Sequence, residues 1–559
     1  MTIPLTEATA ALTAPGQLFE VDEAEIRGIA TRVWKNAPPT LRDVLERSRD
    51  HGDADFLVYE DERTTFEEHY RQAAAVATRL GERYGVGPGD RVAIAMRNFP
   101  EWALAFWGAA AAGAVVVPLN AWWTGPELAY ALEDSGTKVL FADQERAARL
   151  ADHWGDLPAL REVVVARTHA ASPHTLFDSL LDDVPKKAKL PDVSLDPEDD
   201  ATIFYTSGTT GQPKGAVGTH RNICTNQLSL AFVNARNRLR SRAAAPAPSD
   251  SESRVRNSYL LSVPFFHATG CHSVLVANTL YGGKLVIMHK WDPGRALELI
   301  EREQVTTFGG VPAMVMQVLD HPDFARRDLS SVKSVGYGGA PAPPDLVRRI
   351  KERFPGGSPS NGYGLTETSS ITTMNAGDDY VRKPDSVGPP VPVCEVKIVG
   401  DDGTGVGELW IKGPNVVRGY WNKPEATAAT FTDGWLHSGD VARIDDEGFV
   451  YIVDRAKDMV IRGGENVYCV EVEAALYEHP AVADAAVIGI PHEVLGEEVG
   501  AVVQVRPGHE VAEDELQSFV GQRLAAFKVP VRIWFRDQPL PRNPAGKILK
   551  RDLREELLA

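Results

Sequence analysis

The sequence predicts an α/β protein. A large N-terminal domain of doubly wound α/β subdomains carries a β-rich subdomain, and a small α+β C-terminal domain follows. Three observations support this. Short apolar runs alternate with helical stretches from Leu41 onward. At 559 residues the chain is too long for one core. From about Arg455 a new unit of strands and helices begins, about a hundred residues long. The expected division is 1–454 and 455–559.

Residues 1–37 are mixed and carry no motif. Leu41 to Arg47 and Phe66 to Tyr84 read as helices, and Arg91–Ala95, Lys138–Ala142 and Glu162–Ala166 as short buried strands. Trp102 to Leu119 runs eighteen residues without a charge, the lower limit for a membrane span. It contains Gly108 and Gly113 and ends Val-Val-Val-Pro-Leu, so a buried helix followed by a buried strand is expected. Pro185 to Asp200 is a polar connection to the strand Ala201–Tyr205. Asn234 to Ser258 holds six arginines (Arg236, Arg238, Arg240, Arg242, Arg254 and Arg256) among Ala, Pro and Ser. It reads as a mobile surface loop, either a solvated insertion or an anionic docking patch. Strands follow at Tyr259–Val263, Lys284–Met288, Thr306–Phe308 and Ser334–Val335. Gly407–Gly413 and Phe449–Val453 belong to the β-rich section. The last unit reads as helix Val470–His479, strands Ala485–Ile490 and Val499–Val505, helix Glu513–Leu524 and strand Val531–Phe535.

The formal net charge of −18 argues against non-specific binding to nucleic acid or anionic lipid. Cys224, Cys271, Cys394 and Cys469 are scattered without a CxxC pair, which suggests neither a zinc site nor a disulfide framework and suits a reducing cytoplasm. Met1 to Pro15 has no basic n-region and contains Glu7, so no signal peptide is expected. Homodimerisation is left open.

The chemistry concentrates in Thr206-Ser-Gly-Thr-Thr-Gly-Gln-Pro-Lys-Gly215, which follows a strand and supplies three glycines, four hydroxyls and one lysine. Glycine lets main-chain N–H groups approach a ligand, and successive N–H groups form an anion-binding concavity. With donors from Thr206, Ser207, Thr209 and Thr210 and the cation of Lys214, the stretch suits a polyphosphate. It is not a Walker A loop, because Pro213 precedes the lysine and Gly215 follows it. Five further stretches stand in order: Tyr337-Gly-Gly-Ala-Pro341, Asn361-Gly-Tyr-Gly-Leu-Thr-Glu-Thr368, Gly434-Trp-Leu-His-Ser-Gly-Asp440, Asp454-Arg-Ala-Lys-Asp458 and Pro541-Arg-Asn-Pro-Ala-Gly-Lys-Ile-Leu-Lys550. Glu367 is a hard oxygen ligand suited to Mg²⁺.

Taken jointly, these six motifs resemble those of the adenylate-forming superfamily: acyl-CoA synthetases, peptide-synthetase adenylation domains and firefly luciferase. The resemblance implies ATP, Mg²⁺ and coenzyme A as cofactor and co-substrates. It places Thr206, Ser207, Gly208, Thr209, Thr210 and Lys214 on phosphates. Gly338, Gly339, Ala340 and Pro341 would lie against adenine and the acyl pocket. Asn361, Gly362, Tyr363 and Gly364 would pass beside the adenine ring, with Gly364 also bordering the acyl group. Thr366 would reach the α-phosphate and Glu367 would hold the metal. Asp440 and Arg455 would bind the ribose, Lys457 would be the hinge and Lys547 the catalytic lysine. In a second orientation of the small domain, Gly463 and Gly464 would line the pantetheine tunnel and Asn466 would contact the adenylate phosphate. His267 and Thr269 fall where relatives line the acyl pocket.

An amino-acid-activating relative needs an acidic partner for the substrate ammonium, and Phe265-Phe-His-Ala-Thr269 has none. No carrier domain follows the lysine motif in this sequence, so free coenzyme A is the expected acceptor. The run Gly463–Tyr468 with Glu471-Val-Glu473 resembles fatty-acyl-CoA ligases, which favours a fatty or similarly apolar acid. An aryl or ring-derived acid is the alternative, as is an adenylation enzyme loading a separate carrier protein. A non-catalytic acyl-nucleotide binder is disfavoured by the intact Lys547, Glu367 and Lys214.

Overall fold

The computed structural model describes residues 3–168, 173–206, 212–242, 256–339, 344–354, 356–401, 403–455, 457–463, 465–543 and 546–558. Four larger sheets and one small hairpin organise them.

The first large sheet has, among the described residues, seven strands in the order Lys214–Thr219, Asp200–Thr206, Val115–Pro118, Arg91–Ala95, Val139–Asp143, Glu162–Ala166 and Thr175–Leu176. All neighbours are parallel except the first pair, an antiparallel hairpin whose tip is the phosphate-loop motif. Such a sheet is covered by helices on both faces, which is why its strands are apolar without alternation. Phe66–Tyr84 is one covering helix. Thr65 caps it in a reciprocal box with Glu68, and its apolar stripe from Phe66 to Leu80 is buried. The charge-free stretch forms the buried helix Pro100–Ala111 followed by the strand Val115–Pro118, as its glycines and terminal valines predict. Among the described residues no helix is long and apolar enough to cross a membrane.

The second large sheet runs Thr373–Ala376, Ser358–Tyr363, Ser334–Gly338, Thr307–Gly310, Ser258–Leu261, Lys284–Ile287, Asp55–Tyr59 and Glu62–Thr65. It is parallel within and antiparallel at both edges. Three central strands end in glycine-bearing turns, and in such sheets the crevice at the carboxyl ends of strands is where ligands bind. The β-rich subdomain is antiparallel: Glu395–Val399, Val406–Lys412, Trp435–Ile444 and Val450–Arg455, with Phe431–Thr432 at its edge. The small C-terminal unit pairs Val482–His492 with Gly496–Val505 across a separate apolar cluster, with Cys469–Tyr477 and Glu513–Gly521 packed on it.

One expectation changes. The segment from Asn234 is not a surface loop over its first part. The helix His220–Arg242 continues through it, and Arg236 is 4% exposed with its guanidinium over Phe232. Apolar Phe232 and Val233 give this turn a buried face that composition alone concealed. Arg254 lies outside the described residues. Residues 1–37, which carried no motif, form the helix Leu5–Thr13 and the hairpin Val21–Ile26 with Ile29–Trp34.

Candidate functional site

The hairpin that ends the first sheet places Thr206 opposite Lys214, with Thr206 Oγ1 donating to the Lys214 carbonyl at 3.4 Å. Lys214 Nζ lies 5.2 Å from the centre of the Tyr420 ring. Tyr420 donates its hydroxyl to Glu367 Oε1 at 2.7 Å. Glu367 sits in the one-turn 3₁₀ helix Thr366–Thr368, so the phosphate-loop lysine and the acidic motif meet across one tyrosine.

Gly364 explains the shape of the second motif. A Cβ there would fall 1.4 Å from the Ser370 carbonyl oxygen, so only glycine lets the chain double back. Leu365 then accepts from the N–H groups of Thr368 at 3.1 Å and Ser370 at 3.2 Å, which closes the turn presenting Thr366 and Glu367. Asn361 and Gly362 lie on the strand Ser358–Tyr363, in register with Tyr337 and Gly338 of the neighbouring strand. Gly339 follows with open space at its Cβ position.

Asp440 and Arg455 face each other across antiparallel strands. Arg455 Nε stands 3.1 Å from Asp440 Oδ1, and the Tyr363 hydroxyl donates to Oδ2 at 2.7 Å. Asp440 is 3% exposed, so both oxygens are held before any ligand arrives. Burial, then the charge of Asp440, pushes the Tyr363 phenol well up and keeps it a donor.

Lys547 reaches this place from the far end of the chain. Its N–H donates to Asn543 Oδ1 at 2.9 Å, and Asn543 N–H donates back to the Lys547 carbonyl at 2.8 Å. Arg542 ties the turn to the small-domain core, bonding the Gly546 carbonyl and Asp484, each at 2.6 Å. Gly546, at φ +79°, packs so closely on the larger unit that a Cβ would fall 2.5 Å from Val311 Cγ2. Burial, then the field of Arg455, pushes the Lys547 ammonium down to about 8, while Asp458 and Asp440 oppose that shift.

Five further residues expected at the site are His267, Thr269, Lys457, Gly463 and Asn466. His267 lies two residues before the π-helical segment Thr269–Val276, with its Nε2 enclosed without a partner, and burial pushes it down to about 4, so it is neutral. Thr269 at the start of that segment is exposed. Lys457 occupies an exposed turn between Arg455 and Asp458. Gly463 and Asn466 lie on the exposed hairpin Val460–Arg462 with Glu465–Val467, and this domain orientation leaves it in solvent. Ser207, Gly208, Thr209, Thr210, Ala340, Pro341 and Gly464 lie outside the described residues. Tyr420, Arg542 and Asn543 were not singled out by sequence. Arg542 and Asn543 stood inside a recognised motif but have no chemistry of their own. Tyr420 gave no local signal, because its partners lie 53 and 206 positions away.

Among the described residues no three His, Cys, Asp or Glu side chains gather to hold a metal. An ion held by Glu367 would have one protein carboxylate and would draw its other ligands from phosphate oxygens and water, a donor set that suits Mg²⁺.

The structure thus joins Lys214 to Glu367 through Tyr420, and sets the Asp440–Arg455 pair in the field of Lys547. The profile described as AMP-binding enzyme matches residues 44–421, and that described as AMP-binding enzyme C-terminal domain matches 471–547. The chain belongs to this family, in its acyl-CoA synthetase branch. It is 38% identical over 498 residues to a feruloyl-CoA synthase of Amycolatopsis sp, covering 88% of this chain and 93% of that one. It is 36% identical over 503 residues to a long-chain-fatty-acid–CoA ligase of Mycobacterium tuberculosis, again covering 88% and 93%. The solved structure of an anthranilate CoA ligase in complex with anthranoyl-AMP superimposes with a TM-score of 0.81 at 27% identity, covering 92% and 97%.

Proposed function

We propose that this chain activates an apolar carboxylic acid as its acyl-adenylate and transfers the acyl group to coenzyme A. The reaction class, ligation of an acid to CoA with ATP cleaved to AMP, is that of its branch, which uses ATP, Mg²⁺ and coenzyme A. One observation carries the reading: Lys547, more than 300 residues from Lys214, is half-buried in the field of Arg455 and Asp440.

In the first step the acid's carboxylate oxygen attacks the α-phosphate of ATP. The new bond is O–Pα, and the Pα–O bond to the β-phosphate breaks to release pyrophosphate. Nucleophile and target are both anionic, and two unit charges about 4 Å apart repel by about 4 kcal/mol at an effective dielectric near 20. Lys214 and Lys547 oppose that repulsion, and Thr206 and Thr366 supply hydroxyl donors. A Mg²⁺ ion on Glu367 would supply further charge neutralisation on the phosphates. Asp440 and Arg455 orient the nucleoside. No general base is required, because the carboxylate is already ionised, and catalysis is positioning and electrostatics. Thiol attack on the adenylate carbonyl then forms the thioester and expels AMP. We assign the boundary to 454/455, the hinge to Lys457, and the tunnel for the thiol to Gly463 and Gly464 after rotation of residues 455–559.

Burial alone holds His267 neutral, with no carboxylate charge acting on it, which supports an acid without an ammonium group. A fatty acid is our first assignment. The similarity to a feruloyl-CoA synthase favours an aryl acid as the second. The test compares half-reactions. Lys547→Ala should abolish adenylation yet leave preformed acyl-adenylate turning over with coenzyme A. Equal loss in both steps would overturn the role of Lys547.

A further inference from the structure

We propose that Tyr420 is a positioning residue that serves the metal carboxylate and the phosphate lysine at once. The proposal rests on the roles given to Glu367 and Lys214 above. Tyr420 has no place in the reaction itself, yet the two halves of the phosphate site meet on its side chain.

Its hydroxyl donates to Glu367 Oε1 at 2.7 Å, and its ring face lies under Lys214 Nζ at 5.2 Å. Glu367 and Lys214 are opposite charges flanking one ring, yet no ion pair within 4.0 Å joins them among the described residues. A direct pair would occupy the carboxylate that a metal needs and the ammonium that a phosphate needs. Tyr420 offers each a weaker, neutral partner. One oxygen of Glu367 is fixed by a phenol O–H, and Oε2 is left for an ion. Lys214 is held by a ring face, an attraction that does not consume its N–H donors.

The main chain gives the tyrosine no freedom to drift. Ala216 and Tyr420 form an antiparallel bridge. Trp421 N–H donates to the Gly215 carbonyl at 2.7 Å, and Val217 N–H to Gly419 at 2.9 Å. Val417 N–H donates to the Glu367 carbonyl at 2.9 Å. Residues 417–421 are thus stitched to the strand after the phosphate loop and to the acidic motif. Partners that orient a metal ligand typically tune metal affinity about 10- to 100-fold.

Packing alone would also retain a tyrosine here, since its ring meets Phe431 edge-on. Tyr420→Phe separates the two, because it keeps ring, packing and cation contact and removes one donor. Binding of ATP, followed by calorimetry while Mg²⁺ is varied, should show a Mg²⁺ midpoint about tenfold or more higher in Tyr420→Phe, with ATP affinity restored at saturating Mg²⁺. Tyr420→Leu should in addition lower ATP affinity at saturating Mg²⁺. In the Glu367→Gln background Tyr420→Phe should add no further loss, which reads the coupling even if one single variant folds poorly. An unchanged Mg²⁺ midpoint in Tyr420→Phe, or full additivity with Glu367→Gln, overturns the proposal. Wild-type protein that fails to bind ATP with Mg²⁺ would instead overturn the functional reading beneath it.

Discussion

The pH dependence of adenylation follows from where Lys547 sits. Burial and Arg455 hold its ammonium at about 8, well below an ordinary lysine. The sign is direct. A lowered lysine pKa means that the cation is lost as pH rises, so the charge that offsets phosphate repulsion disappears on the alkaline side. With a value of about 8, about nine-tenths of the lysine is cationic one pH unit below it and about one-tenth one unit above. The second-order rate constant with ATP, which reports the free enzyme, should therefore fall about tenfold per unit above that point. The assay is pyrophosphate release in a single turnover without coenzyme A, across roughly pH 7 to 9.5, where ATP itself no longer titrates. Lys547→Arg carries a charge that does not titrate in this range, so its alkaline limb should vanish even if its rate is lower. The transfer of preformed acyl-adenylate to coenzyme A should not fall over the same range, because the thiol gains nucleophilicity there. An alkaline limb that persists unchanged in Lys547→Arg would refute the reasoning.

Three further outcomes test other parts of the structure. Gly364→Ala puts a Cβ 1.4 Å from the Ser370 carbonyl, and forced contacts of this kind cost about 1–3 kcal/mol, so denaturant unfolding should register that loss together with weaker ATP binding. Asp440→Asn removes the carboxylate shared by Tyr363 and Arg455, and should raise the KM for ATP while leaving the KM for the acid nearly unchanged. Lys550→Met strips the cation from Glu473, 2.6 Å away inside the small domain, and leaves it only the Val487 N–H at 2.8 Å, so the loss should approach the roughly 3–5 kcal/mol of a broken buried pair. A calorimetric melt should show the small domain unfolding early, and an unshifted melt would mean that Glu473 finds another partner.

Much of the architecture was legible because strong local patterns agreed with the final packing. Leu41–Arg47, Phe66–Tyr84, Arg91–Ala95 and Glu162–Ala166 have the bounds their periodicity predicts. The hairpin Val21–Ile26 with Ile29–Trp34 was not read, because Glu23, Glu25 and Arg32 blur its alternation and its turn is only Arg27–Gly28. Arg236 misled in the opposite direction. An arginine run signals solvent, yet one face of this helix is apolar and buries the guanidinium with it.

The site divided along the same line. Asp440, Arg455 and Lys547 come together as separate short motifs whose chemistry is local and readable. What joins them is not local. Tyr420 spans two motifs distant in sequence, and Arg542 matters only because Asp484 waits across the fold. Gly364 was read as passage beside a flat ring, and the structure adds a reason independent of ligand, the approach of the Ser370 carbonyl.

The central claim is tested most directly by pyrophosphate release from ATP and Mg²⁺ across alkyl, aryl and amino acids, with and without coenzyme A, and with the acyl-CoA product weighed by mass spectrometry. The account predicts release with apolar acids, greatest for alkyl chains, rising with coenzyme A and matched by equal acyl-CoA. Release indifferent to coenzyme A, or confined to amino acids, would contradict it.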